Sequence, residues 1–213
     1  MRTGEVFALT WDDIDLDNRK IKVNKTVYSK LKDKKGRWYL GTTKTEGSYR
    51  ELYICDTLYK ALCNYKKQQQ LYKKKYGSKY RKYSLEPIKN KYGKIVEFKI
   101  IEEKRKKKKS VDMVFARKDG RYVGTDVIKY PFKIIHNELG IKNCRFYDLR
   151  GSYATKSLRS GAEIKDIANI LGHSKIETTE NYYITSTNAS MKIVYKILEK
   201  TICSEVIDEI INF

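Results

Sequence analysis

The sequence predicts an α+β fold, mainly helical, with a small antiparallel sheet. Two periodicities carry this. In the first quarter, "KIKVNKTVY" alternates polar and apolar residues, and "WYLGTTKTEGSYRELYI" reads as two strands flanking a turn at Glu46-Gly47. Later segments repeat apolar residues at helical spacing, with Gly161 and Gly172 as punctuation.

Taken in order, "MRTGEVFALTW" reads as helix, with Val6, Phe7 and Leu9 on a helical face and no capping residue ahead of it. That start resembles a cut through a longer protein. "WDDIDLDNRKIKVNK" turns at Asp-Leu-Asp-Asn and enters a strand, and "KLKDKKGRW" is a basic turn. Thr57 to about Tyr83 is expected to be helical, with Leu58, Ala61, Leu62 and Tyr65 on one side. Leu85 to Lys109 is less regular. "KIVEFKII" has strand character and "KRKKKK" is a charge run, so residues from about 66 to 110 read as a basic surface insertion with a mobile basic end. "DMVFARKDGRYVGTDVIKYPFKIIHNELGI" gives a short strand, a Lys-Asp-Gly turn and a helix opening near Thr125 or Gly124. Two or three helices follow from Arg145, with Ser174 as a cap for the last. Residues 189–213 form a final amphipathic helix.

Charge narrows the function. Forty-six Lys and Arg against twenty-six Asp and Glu leave a formal +20. This exceeds what solubility needs and points to a polyanion, nucleic acid ahead of an anionic membrane surface. No run of eighteen apolar residues spans a bilayer. The four cysteines form no C-x-x-C pair, and His136 and His173 stand apart from them, so no metal site is expected. Reduced thiols in a cytoplasmic protein account for the cysteines.

Four segments in sequence carry a resemblance: "MRTGEVFALTWDDID", "TTKTEGSYREL", "RFYDLRGSYAT" and "LGHSKIETTENYY". This set resembles the catalytic domain of tyrosine recombinases, the phage-integrase family, and in particular integrases of conjugative transposons and phages of Gram-positive bacteria. The resemblance implies DNA strand cleavage without cofactor or metal, through a 3′-phosphotyrosyl intermediate. Such chemistry needs a nucleophile, cations for a charge-rich phosphoryl transition state, and an acid for the leaving 5′-oxygen. Planar guanidinium groups suit the two non-bridging oxygens in a way lysine cannot. By resemblance Arg2 and Arg150 are those arginines and Lys44 is the acid. His173 bonds the phosphate or the nucleophile, and Glu5 orients Arg2.

Two positions depart from the family pattern. Tyr147 stands where histidine usually precedes the second arginine by three, and Gly151 replaces another frequent histidine. A phenol donates a hydrogen bond to phosphate but is a poor base at neutral pH. Tyr147 as a packed aromatic is an equal reading. The nucleophile follows His173 by nine or ten residues, which admits Tyr182 and Tyr183. Adjacent helical residues point about 100° apart, so only one can attack. The "TTENYYI" form favours Tyr183, with Tyr182 the alternative.

The resemblance further implies a catalytic domain over residues 1–188, and a helix over 189–213 exchanged between subunits. The N-terminal DNA-binding domains would be absent from this chain. The expected partner is double-stranded DNA at attachment or core sites, bound by a homo-tetramer with an accessory DNA-bending or excision protein, in the bacterial cytoplasm. Lys25, Lys30, Lys73, Lys74, Arg81 and Arg145 are expected to meet DNA phosphates. Two rival readings stand beside this one. The first is a catalytically weakened DNA-binding module. The second is a metal-dependent nuclease, disfavoured because Asp12, Asp13, Asp15 and Asp17 lack the pattern of a calcium loop.

Overall fold

The computed structural model describes residues 1–30, 37–42, 49–103, 110–173, 177 and 179. It contains two antiparallel sheets where the sequence suggested one. The first has three strands in the order β1 (Ile14–Asp15), β2 (Lys20–Val23) and β5 (Arg50–Tyr53). The second has four, in the order β3 (Lys25–Tyr28), β4 (Tyr39–Thr42), β7 (Ile95–Glu102) and β6 (Tyr83–Lys89). The alternating run "KIKVNKTVY" is therefore broken at Asn24, and its halves join different sheets. Val23 is buried in one core and Val27 in another. The strands flanking the Glu46-Gly47 turn, β4 and β5, are not partners. β4 lies between β3 and β7, with Leu40 opposite Val27 and Phe98, while β5 pairs with β2. The region after Leu85 is more ordered than its composition suggested. β6 and β7 form a long hairpin that widens the second sheet.

The short stretch "FALTW" joins the two sheets. Helix α1 (Thr3–Phe7) ends early, and residues 7–11 are all buried. Phe7 and Ala8 enter the core under the four-stranded sheet with Trp38, Leu40 and Ile100. Leu9 and Trp11 enter the core under the three-stranded sheet with Ile21, Val23 and Ile54. Gly4 lets α1 lie against β3, since a Cβ there would fall 2.4 Å from Thr26 Oγ1 and 2.9 Å from the Val27 carbonyl.

Helix α2 (Asp56–Tyr76) begins where expected and stops at Gly77, whose φ of +51° ends the run; Lys73, Lys74 and Lys75 occupy its last turn. Its inner face is rotated from the predicted one. Tyr59, Leu62 and Tyr65 pack on the core, whereas Leu58 is 41% exposed and Ala61 is exposed. A polar residue sets this rotation. Gln69 is buried, accepts from the Trp11 indole at 2.6 Å, and donates to the Met113 carbonyl at 3.1 Å. Buried backbone and indole groups need such partners, and only this rotation supplies them.

A 3-10 turn over Thr125–Ile128 leads into α3 (Lys129–Asn137). Helices α4 (Asp148–Arg159) and α5 (Ile164–Leu171) follow, packed through Ala154, Ile167 and Leu171. Ser174 as a cap, the charge run at 104–109 and the helix over 189–213 lie outside the described residues.

Replacing Gln69 by alanine would strand the Trp11 N–H and a buried carbonyl. The expected loss is about 1–3 kcal/mol in urea unfolding. Gln68→Ala, on the exposed side of the same turn, should stay within about 0.5 kcal/mol.

Candidate active site

The C-terminal end of α5 gathers three arginines from three other elements. A helix leaves its last carbonyls without intrahelical partners and with partial negative charge. Here three successive carbonyls each accept from a different guanidinium. Ile170 O takes Arg50 Nε at 2.7 Å, Leu171 O takes Arg150 Nη2, and Gly172 O takes Arg2 Nη2 at 3.0 Å. Gly172 makes the arrangement possible. Its φ of +67° turns the chain out of the helix, and a Cβ there would stand 2.8 Å from Arg50 Nη1. The His173 amide reaches back to Ala168 O at 2.9 Å and the Gly172 amide to Asn169 O at 3.0 Å, a Schellman ending. That ending fixes His173 beside the arginines.

One buried carboxylate answers this positive charge. Glu5, 3% exposed, accepts from the Arg2 amide at 2.7 Å and from Arg2 Nη1 at 3.0 Å. It also accepts from Arg50 Nη2 at 2.8 Å and Nη1 at 3.3 Å. Burial pushes the Glu5 carboxyl up, but the bonds from Arg50 and the Arg2 amide outweigh it, so the group lies below its ordinary range. Arg150 is different. It is 5% exposed, and among the described residues its Nε and Nη1 have no hydrogen-bond partner. Burial and the nearby Arg2 charge disfavour its charged form. A guanidinium does not discharge at neutral pH, so Arg150 stays charged in this buried place.

His173 shares this field. Its Nδ1 lies 2.8 Å from Thr179 Oγ1. Burial, then the charges of Arg150, Arg2 and Arg50, push its imidazole down to about 4. It is neutral at physiological pH in the free protein.

The expected site residues fall into three groups. Arg2, Glu5, Arg150 and His173, spread from one end of the described chain to the other, come together. Arg150 has no carboxylate partner among the described residues. Tyr147 sits one residue before α4, 44% exposed. Lys44, Tyr182 and Tyr183 lie outside the described residues. Arg50 was missed. In "SYREL" it reads as an ordinary outward strand residue, and the only signal is its place at the start of a strand after the "TKT" segment.

The expected DNA contacts are scattered over the surface, and most hold acidic neighbours. Lys73 pairs with Asp112 at 2.8 Å, Arg81 with Glu102 at 3.0 Å and Arg145 with Asp148 at 3.0 Å, while Lys30 pairs with Glu97. Lys74 is exposed on α2. The first three pairs are partly exposed and worth about 0–1 kcal/mol, whereas Glu97 is 8% exposed. Lys25 differs, because its partner Asp13 is 4% exposed and 2.6 Å away. Asp13 also accepts from the Thr10 amide and hydroxyl and from Asn24, so Lys25 is one part of a buried polar cluster. His136, the other histidine, bonds the Cys144 carbonyl and packs on Phe132.

Two guanidinium groups share one buried carboxylate, and a third meets the same helix end beside a neutral imidazole. Known proteins identify the class. The family model described as "Phage integrase family" matches residues 1–189, and the chain belongs to that family. A XerC-like tyrosine recombinase of Caldanaerobacter subterraneus subsp. tengcongensis is 27% identical over 188 residues, covering 86% of this chain and 42% of that protein. The integrase of Staphylococcus phage L54a is 39% identical over 74 residues, 33% of this chain and 21% of that one. Among solved structures, the Tn1549 transposon integrase in complex with transposon right end DNA has a similar fold. Its TM-score is 0.60 at 18% identity, over 94% of this chain and 55% of that one. The chain thus spans about half or less of these relatives' lengths. The α+β fold is that of tyrosine-recombinase catalytic domains.

In the free protein, the His173 ring should titrate at about 4 when followed by NMR, against 6.5 for an ordinary histidine. A midpoint of 6 or higher would contradict the arginine field. The sign for stability follows. The unfolded chain takes up this proton first, so His173 makes the fold weaker as pH falls from 6.5 towards 4, and has no effect above that window.

Proposed function

We propose that the chain is the catalytic part of a site-specific DNA recombinase that cuts and rejoins strands through a 3′-phosphotyrosyl link. The observation that carries this is Arg150, buried, with two N–H groups awaiting an acceptor next to Arg2. A phosphodiester supplies two non-bridging oxygens of the right charge. Tyr183 attacks phosphorus as the bond to the 5′-oxygen breaks, and Lys44 gives that oxygen its proton. Neutral His173 is able to take the phenol's proton, and its basicity rises once the phosphate charge arrives. The 5′-hydroxyl reverses the step on the phosphotyrosyl bond, so the energy of the broken bond is retained. No metal or cofactor enters this sequence.

The partners follow from the same reading. Double-stranded DNA at an attachment or core site is the substrate, for integration or excision of a mobile element in a bacterial cytoplasm. A homo-tetramer assembles on it, aided by an accessory bending or excision protein. Residues 1–188 form the catalytic unit, with the basic insertion about 66–110. Residues 189–213 exchange between subunits. A cleft of about 810 Å³ between β5, α4 and α5 has the apolar walls such a helix would cover, including Leu52, Tyr53, Leu149 and Tyr153. Among the described residues no helix is long and apolar enough to cross a membrane. A catalytically weakened DNA-binding module is the second reading, favoured by Tyr147 and Gly151 at positions where the family more often carries histidine.

The test is covalent trapping on nicked duplexes with a randomised core, in the presence of chelator, using the complete gene product. We expect a denaturant-stable adduct that persists in Tyr182→Phe and disappears in Tyr183→Phe. The reverse pattern would move the nucleophile to Tyr182. Salt-dependent binding with no adduct would leave the binding module.

A further inference from the structure

Arg50 stands outside every role assigned so far, yet it has more buried contacts than any other arginine of the site. It opens β5, opposite Val23 of β2, and is 9% exposed. Both its terminal nitrogens hold Glu5, and its Nε holds the Ile170 carbonyl at 2.7 Å. Arg2 bonds the same carboxylate and the next-but-one carbonyl of the same helix end. We propose that Arg50 is a positioning residue for the phosphate site. It locks the Glu5 carboxylate and the end of α5 to the three-stranded sheet, and so sets where the Arg2 guanidinium and the His173 ring stand.

Two features single out arginine here. Only a rigid planar fork reaches two carboxylate oxygens and a carbonyl on a different element at once; a lysine ammonium is a point donor on a flexible stem. Gly172 is also shaped to this side chain, since a methyl there would press on Arg50 Nη1 and stand 3.2 Å from its Cζ. The catalytic consequence rests on the recombinase reading, whereas the clamp itself does not. Displacing an orienting group by about 1 Å can cost on the order of 100-fold in rate. Among the described residues Arg50 bonds Glu5 and the α5 end and not Arg150, so its loss should slow chemistry without weakening DNA binding.

The experiment has two arms, both on the complete gene product. In the first, single-turnover adduct formation and band-shift affinity are measured on the same nicked duplex for the parent, Arg50→Lys, Glu5→Gln and the double variant. We expect Arg50→Lys to bind within about twofold of the parent but to form adduct about 30-fold or more slowly. The double variant should be no slower than the slower single one, because both changes break the same clamp. A parental rate in Arg50→Lys, or losses that multiply in the double variant, would overturn the proposal. If Arg50→Lys fails to fold, Gly172→Ala replaces it with the same expectation. The second arm needs no cleavage. The His173 ring is titrated by NMR in Arg50→Lys, which keeps the charge, and in Lys91→Gln, a control in the β6–β7 turn. A shift from the parent in Arg50→Lys alone supports the clamp, and equal values in both overturn it. A parent that forms no adduct counts against the recombinase reading, and the titration then decides the clamp independently.

Discussion

A single buried carboxylate organises this site. Glu5 is removed from water almost completely, which costs several kcal/mol unless the charge is paired and hydrogen-bonded. Its partners are the Arg2 amide, the Arg2 guanidinium and the Arg50 guanidinium, which tie the start of α1 to the start of β5. One further nitrogen of Arg2, one of Arg50 and one of Arg150 donate to the last three carbonyls of the α5 end. Satisfying Glu5 and satisfying that helix terminus are therefore one structural problem with one solution. The solution leaves two donors of Arg150 unanswered among the described residues.

The rest of the fold holds these four elements in register. "FALTW" threads between the two sheets, with Phe7 and Ala8 in one core and Leu9 and Trp11 in the other, so α1 cannot shift relative to β2 or β3. β5 is hydrogen-bonded to β2, which places Arg50 rigidly under Gly172. The α4–α5 pair packs on a small apolar core of its own, with Arg150 on one helix and the His173 turn at the end of the other. Electrostatics then depends on this rigidity. Burial and the charges of these three arginines together keep the His173 imidazole neutral.

Motifs made Arg2, Glu5, Arg150 and His173 legible in the sequence, because each sits in a local pattern that a helix start or helix end enforces. Arg50 was not legible, since its role comes from a tertiary contact with Gly172 and Glu5, and the letters around it describe only a strand. The break between β2 and β3 was missed for a related reason. Asn24 is neither glycine nor proline, and the alternation runs on unbroken across it. The rotation of α2 was set by Gln69, a polar residue that helical periodicity counts as outward. Where buried polar groups decide the geometry, apolar patterning points the wrong way.

The most direct test of the central claim is the ionisation of Glu5, read from its carboxyl carbon by NMR across an acid titration of the free protein. The account predicts that Glu5 is still mostly charged at pH 4.5, the ordinary value for a glutamate, because two arginines hold it. A Glu5 half-protonated at or above pH 4.5 would mean that burial outweighs the arginines, and that the carboxylate does not organise the site.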